Sequence, residues 1–436
     1  MNRFLPFLRW RSQWRDPQTI RADLMAGLTG AVVVLPQAIA YATLAGMPIQ
    51  YGLYAAMVPC FVAALFGSSR LMVTGPANAI SLTTAFLISP LAEPFSRAYV
   101  DLVLVLCLLV GLLQLLLGLI RFGRWIDKVP HSVVVGFTAG VALLIINSQI
   151  PVLTGISAPR GASILSTLLA LLEQARAIDW ISVGLGILTL LVIVAWGPWN
   201  RRVPAMLVGV ILGSFAAWLL QTMWPAQAVV QMVPPLPSAL PAFQVPALTV
   251  DSMRALFSAT LVMTLLGLTE ASAIAKSLAL RAGERVDGNQ EFIGQGLANI
   301  AGSFFSAYPT SGSFNRSGVN IASGARTPLA AASAAIWLVA ILTLVKPLAG
   351  FLALPVIAGL LLVVAWRLID FDGIRHIWGS SWRADWGERA ILTVTGVATV
   401  AISLEWAILL GLLTAYLVSR SRSPDPEESK ASDEEA

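Results

Sequence analysis

The chain has 436 residues, 57% hydrophobic and only 12% charged, with a net charge of +5 and a mean hydropathy of +0.78. A water-soluble globular chain carries about 25% charged residues, so the composition excludes one and describes a polytopic protein in a lipid bilayer. The basic excess then reports membrane topology, and no nucleic-acid partner is expected.

Residues 1–23, "MNRFLPFLRWRSQWRDPQTIRAD", are basic and aromatic and lack the short apolar core and small-residue cleavage site of a signal peptide. They read as a cytoplasmic N-terminal segment. Apolar runs follow at 24–44, 51–66, 100–120, 129–150, 181–196 and 203–222, then at 253–275, 328–345, 348–366, 388–403 and 404–419. A full span needs about 20 residues, and the stretches at 76–90 and 315–323 are too short or too polar to cross alone. The stretch at 288–306 is amphipathic. Including these three gives fourteen segments, and the loop charges support that count. One face then receives the N-terminal arginines with Arg70, Arg121, Arg124, Arg201, Arg281, Arg326, Arg367 and Arg420, among others. The opposite face keeps only Arg97, Arg160, Arg176, Arg254 and Lys346. By the positive-inside rule the rich face is cytoplasmic, which puts both termini there, and the expected home is the bacterial inner membrane. Cys60 and Cys107 lie in apolar runs, so no disulfide framework is expected.

The chain divides into two matching halves. Residues 24–222 hold segments one to seven, and 253–419 hold segments eight to fourteen. Between them, 223–252 includes the proline-rich "PPLPSALPAFQVP", an extracytoplasmic linker. Seven segments per half give the halves opposite orientations, an inverted repeat. Each half opens with a long span and reaches a short one two elements later, after "SSRLMVTGPANAIS" in the first and "AYPTSGSFNRSGVN" in the second. Each break reads as a short extended stretch leading into a helix start, with Pro76 suited to a first helical turn and Ser313 or Asn315 to an N-cap. Paired interrupted spans at corresponding positions point to the central site of a secondary transporter. Two helix N-termini meeting there would form an anion site.

Arg316 falls in the first turn of the second short helix, and its cost at membrane depth is accounted for if it helps hold an anion. Glu270 lies sixteen residues after Arg254, roughly 24 Å along a helix, and so sits inside its span. Its expected partner is Arg316, either as a coupling device in which a proton on Glu270 frees the arginine, or as a permanent structural pair. Gln37 and Tyr41, one turn apart in the first span, offer an amide and a hydroxyl to a ligand or to a neighbouring helix. Asn78 at the first short helix is similar. Thr310, Ser311 and Ser313 read as anion donors or as turn and cap residues, and Phe314 as a candidate cavity wall. His131 and His376 sit at loop edges, and "DFDGIRHIWGSSWRADWGERA" reads as an interfacial segment. No zinc spacing, nucleophile elbow or phosphate-binding glycine loop occurs, so no metal, cofactor or enzymatic activity is expected.

At these residues the chain resembles the SulP family of sulfate permeases, to which prestin and pendrin belong. The likeness runs over nearly all of 20–420 and is carried by "GLTGAVVVLPQAIAYATLAG", "PIQYGLYAAMVPCFVAALFGSSR", "TGPANAIS", "EASAIAKSLA", "DGNQEFIGQGLANIAGSFFSAYPTSGSFNRSGVN" and "ASGARTPLA". The resemblance implies an all-α membrane fold with a core domain, spans one to four and eight to eleven, moving against a gate domain. It also implies an anion held between the short helices, with Gln37, Tyr41, Asn78, Glu270, Ser313 and Arg316 at matching motif positions. In most members a cytoplasmic STAS domain follows the last span. Here 420–436, "RSRSPDPEESKASDEEA", is charged and expected to be disordered. Sodium-coupled bicarbonate members resemble one another in an aspartate with a threonine four positions on. Glu270 with Ile274 departs from that pattern and favours proton coupling. The expectation is proton-coupled symport of sulfate, bicarbonate or a small dicarboxylate. The rivals are uncoupled or exchange-type chloride/bicarbonate movement, and an anion-dependent motor or scaffold without net flux. A homodimer is an assembly this reading admits.

Overall fold

The computed structural model describes residues 6–123, 130–157, 163–199, 205–224, 230–233, 240–282, 286–345, 351–379, 386–402 and 404–421. The proline-rich centre of the linker and nearly all of the expected tail lie outside these, as do Arg124, Arg160, Arg201 and Lys346 of the topology argument.

Helix α1, Pro17–Leu44, starts where Asp16 accepts a bond from the Gln18 amide at 3.0 Å and Pro17 presets the first turn. The same bond, with that from the Thr19 hydroxyl, lowers the Asp16 pKa. Then come α2 (Ile49–Phe66), the short α3 (Asn78–Ile88), α4 (Arg97–Leu119), α5 (His131–Thr154), α6 (Ile164–Glu173), α7 (Trp180–Trp199) and α8 (Ala205–Met223). The second half comprises α9 (Val250–Ala255), α10 (Phe257–Ala282), α11 (Gly288–Phe304), the short α12 (Phe314–Ala322), α13 (Leu329–Val345) and α14 (Leu354–Leu368). It closes with α15 (Phe371–Gly379), α16 (Trp386–Ala401) and α17 (Leu404–Ser421).

Each of the fourteen predicted segments coincides with one of these helices. Eight helices among the described residues are long and apolar enough to cross a membrane alone, and the molecule is a multi-pass membrane protein. At 1.5 Å per residue, α3 and α12 are roughly 16 and 14 Å long, about half a bilayer core. Helix α6 was not among the predicted segments. Its Leu165, Leu168, Leu169 and Leu172 are all exposed, the pattern of a helix lying in the interface. Within the predicted interfacial segment, α15 supplies a nine-residue helix.

By packing, the chain forms two compact units, 1–127 with 145–365 and 128–144 with 366–436. In the larger, α11 lies along α4 and α2. Contact is close because a Cβ on Gly296 would fall 2.5 Å from the Leu115 nitrogen, and one on Gly294 2.7 Å from Gly67. Small residues permit such backbone approach where lipid supplies no hydrophobic drive. Helices α7, α8 and α14 meet the same way, with Gly359 against Gly186 and Gly213 against Val356. In the smaller unit, Arg389 on α16 donates to the Ile377 and Trp378 carbonyls at 3.0 and 3.1 Å, satisfying the end of α15. His131 stands 3.6 Å from Asp370, and both are well exposed.

The only paired strands among the described residues are β1, Thr74–Gly75, and β2, Ser311–Gly312. They run antiparallel, Thr74 opposite Gly312 and Gly75 opposite Ser311. These are the two extended stretches expected ahead of the short helices.

Candidate functional site

The strand pair sets the site's geometry. Each strand leads within three residues into a short helix, so the antiparallel ladder brings the N-termini of α3 and α12 to one place. Non-helical backbone at this depth persists only when its polar groups are met inside the protein, and here they are. The Ser313 amide donates to the Val73 carbonyl at 3.1 Å. The Ser317 hydroxyl accepts from the Val73 amide at 2.9 Å, and the Asn320 amide donates to the Leu71 carbonyl at 3.1 Å. Helix α12 thus holds its partner half's strand as well as its own.

Arg316 is 6% exposed. Its Nη1 donates to the Thr74 carbonyl at 2.9 Å and its Nη2 lies 3.8 Å from Cys60 Sγ. The guanidinium occupies the space where a side chain on residue 75 would begin, so Gly75 is required by close approach. The charge of the second half therefore rests on the backbone of the first, between two helix ends that each carry a partial positive charge. Three positive features converge, and no carboxylate forms an ion pair with Arg316 among the described residues.

That last point corrects the expected pairing with Glu270. The Glu270 carboxylate instead lies by the Ser311 hydroxyl, and its buried Oε2 has no hydrogen-bond partner. Ser311 spends its own proton on the Gly267 carbonyl, 2.9 Å away and one helical turn before Glu270. Helix position gives depth in the membrane but not which way a side chain turns, and the Thr74 carbonyl meets the arginine first.

Tyr41 is buried, its hydroxyl by the Asn315 side chain and near both the Arg316 and Glu270 charges. Gln37 is also buried, but its Nε2 meets Met206 Sδ at 3.0 Å and its Oε1 is unpartnered. Asn78 opens α3, with Oδ1 accepting from the Ala79 amide at 3.0 Å, and no side chain caps that helix. Ser313 is the N-cap of α12, accepting from the Arg316 amide at 3.4 Å. Phe314 is 54% exposed, so it does not form a wall closed around Arg316. Arg316, two residues on in the same turn, is buried on the inner face, while Phe314 opens the helix on its outer side.

Sequence reasoning gave the helix that holds this frame, 288–306, but not the role of its polar face. Glu291, Gln295 and Asn299 recur every four residues along one face of α11, each 1% exposed or less. Glu291 accepts from the Ser68 and Ser69 amides at 2.9 and 3.1 Å, at the turn that leads to β1. Gln295 donates to Thr74 Oγ1 at 2.8 Å. Asn299 accepts from the Thr310 amide at 2.8 Å and donates to the Thr310 carbonyl and Gln114. One helix face thus positions both strands. The polar stripe in "EFIGQGLAN" was the available signal. Tyr308 was also passed over; its hydroxyl lies 3.0 Å from Ser81 Oγ and so bridges the strands' flanks. Asp23, fully buried in α1, accepts from the Arg326 and Thr327 amides at 2.7 and 3.0 Å and fixes the start of α13.

The model of the sulfate permease family matches residues 20–386. The chain belongs to that family. It is similar to Sulfate transporter 4.1, chloroplastic, of Arabidopsis thaliana, 32% identical over 96% of this chain and 61% of that protein. It is also 30% identical to a probable sulfate transporter of Mycobacterium tuberculosis, over 97% of this chain and 73% of that one. The chain thus spans about three fifths of the plant relative. Among solved structures it resembles the transmembrane domain of the cyanobacterium bicarbonate transporter BicA, with a TM-score of 0.78 at 23% identity, covering 92% of this chain and 98% of that one. Murine Solute Carrier 26 family member A9, an anion transporter in the inward-facing state, gives a TM-score of 0.86 at 20% identity, covering 95% and 71%. These two likenesses establish the fold.

Proposed function

We propose that this sulfate permease family protein is a secondary anion transporter that binds its substrate between the N-termini of α3 and α12. The observation that carries this is the buried Arg316 guanidinium, held against the β1 backbone with no carboxylate paired to it among the described residues. A cation so placed is costly unless a mobile anion supplies the countercharge. Sulfate is the first substrate to test, since the curated relatives at 30–32% identity carry that name. Bicarbonate and small dicarboxylates are the alternatives, because helix ends and one arginine recognise charge without a rigid size code. Ser313, Asn78, Gln37 and Tyr41 are the surrounding donors, Ser311 joins them when its hydroxyl turns from the Gly267 carbonyl, and Phe314 borders the entrance.

Glu270 is the coupling residue in this proposal. It faces the same frame through Ser311 and Tyr41 but does not hold Arg316. Its role is therefore to add or remove a negative charge beside the anion, and not to release the arginine. When the site holds a doubly charged anion, a proton on Glu270 removes the repulsion and travels with the substrate. Alternating access then carries both across. Both termini are placed in the cytoplasm and the protein in the bacterial inner membrane. A homodimer is compatible with the scheme.

The test is uptake of labelled sulfate, bicarbonate and dicarboxylates into liposomes holding purified protein, with and without an inward proton gradient. Gradient-driven accumulation of one anion is expected, abolished in Arg316→Ala and made indifferent to the gradient in Glu270→Gln. Uptake that ignores pH and survives Glu270→Gln overturns proton coupling in favour of exchange. Anion-dependent charge movement without flux would identify a motor.

A further inference from the structure

A second basic feature lies outside the anion site, at the end of α4 on the arginine-rich face. There an open hollow of about 530 Å³ lies between the N-terminal helical turns, the residues after α4 and the start of α11. That volume is within the range of about 300–1,000 Å³ common for small-molecule sites. Arg9 enters it from one element and Arg121 from another, and Leu119 and Ile293 contribute apolar wall. Neither arginine forms an ion pair among the described residues. Among the described residues the one carboxylate in the lining, Asp287, is engaged in capping α11, accepting from the Asn289 and Gln290 amides at 3.0 and 3.3 Å. Arg121 adopts a left-handed backbone, φ 62°, at the point where the chain leaves α4.

The surface beside this cavity is apolar and continuous with it. Leu112, Leu116, Leu119 and Ile120 form a stripe along α4 that ends at Arg121, and all four are between 47% and 62% exposed. From Leu112 to Ile120 the stripe runs roughly 12 Å along the helix, against about 15 Å for one leaflet's hydrocarbon. A cationic hollow at the membrane surface with an apolar track descending from it has the shape and polarity of a phospholipid. A soluble anion would use the hollow and leave the track bare.

The geometry points to a binding site for one anionic phospholipid, its phosphate and headgroup between Arg9 and Arg121 and an acyl chain along the α4 stripe. Zwitterionic lipid lacks the net charge that two unpaired guanidiniums favour. Occupancy would pin the outer end of α11, the helix whose inner face holds β1 and β2 through Glu291, Gln295 and Asn299. The site is independent of which anion is transported.

The experiment is native mass spectrometry of the purified full chain in detergent with phosphatidylglycerol, phosphatidylcholine or inorganic phosphate. Phosphatidylglycerol is expected to be retained in preference to phosphatidylcholine. Its apparent affinity should fall roughly fivefold for each of Arg9→Gln and Arg121→Gln, and about 30-fold for both together. Arg9→Lys with Arg121→Lys should keep most of it, and Arg254→Gln on the opposite face should change nothing. A second measurement needs no variant: a photoactivatable phosphatidylglycerol should crosslink wild-type protein within the peptide spanning 112–123. Equal retention of the two lipids, unchanged retention in the double variant, or crosslinks confined to other peptides would overturn the site. Displacement of phosphatidylglycerol by millimolar phosphate would also overturn it, by making the hollow a soluble-anion site.

Discussion

Strand β1 with helix α3 and strand β2 with helix α12 are built to one backbone plan and furnished differently. Both run from a two-residue strand into a helix of about half a membrane's thickness. The first half supplies bare backbone: Gly75, the Thr74 carbonyl, and a helix start at Ala77 with no side-chain cap. The second supplies side chains: Ser313 as cap, Arg316 as charge, and Ser317 and Asn320 reaching across to β1. The antiparallel strand pair makes two helix ends meet. Only their different sequences turn that meeting into a cation resting on a carbonyl. The shared backbone plan positions, and the differing side chains supply the charge.

The sharpest way to break the comparison is to remove the asymmetric charge. Arg316→Ala is expected to lower anion uptake about 100-fold or more, the scale for losing a buried charged partner. Arg316→Lys should restore little, because a compact ammonium cannot span the Thr74 carbonyl and an anion together. Binding measured by scintillation proximity on purified protein separates lost affinity from lost turnover. Activity near wild type in Arg316→Ala would place the anion elsewhere.

Gly75→Ala probes the same contact from the bare side. The new methyl would take the guanidinium's place, and a flexible side chain yields before backbone does. Uptake is expected to fall roughly tenfold, the effect of moving the charge by about 1.4 kcal/mol. In an Arg316→Ala background the same glycine change should cost less thermal stability, since the guanidinium no longer competes for the space and only the strain of the positive φ remains. A double-mutant cycle on the melting temperature checks this. Additive effects would mean that Gly75 serves the strand and not the arginine.

What the sequence disclosed follows from the same division. The half-helices were legible because "VTGPAN" and "SGSFNR" interrupt apolar runs with residues that start helices, and Arg316 because a cation at membrane depth stands out. Its partner was not legible. The Thr74 carbonyl is a backbone atom that any residue could have offered, whereas Glu270 was a visible acidic side chain inside a long apolar span. The α11 stripe was half legible: Glu291, Gln295 and Asn299 announce a polar helix face, but Ser68, Thr74 and Thr310 lie on other segments whose contacts only folding defines. Helix α6 was missed because its leucines suit an interfacial helix too short to register as a span.

The stripe gives a prediction of intermediate size, because it serves both halves. Asn299→Leu leaves the Thr310 amide and Gln114 Oε1 without their partner and is expected to cost about 2–3 kcal/mol of stability. Gln295→Leu removes a hydroxyl contact on the other strand and a bond to Glu291 Oε1, but also removes the buried, unpartnered Gln295 Oε1, and should cost about 1 kcal/mol. Thermal unfolding in detergent ranks them, and the reverse order would mean that β1, not β2, is the strand that depends on α11.

The smallest effect asks whether the uncapped start of α3 is used. Ser313→Ala removes a long, weak cap from α12 and should cost about 0.5–1 kcal/mol. Ala77→Ser offers the first half the cap it lacks, at a residue already extended, φ −128° and ψ 151°. If capping were only a matter of helix stability, both helices would benefit from it, and Ala77→Ser would raise stability without touching transport. If the α3 amides are left open for substrate, the serine oxygen competes with the anion. Affinity should then fall severalfold while the melting temperature holds or rises. Opposite movement of these two readings in one variant would show that the plainer half contributes through what its sequence omits.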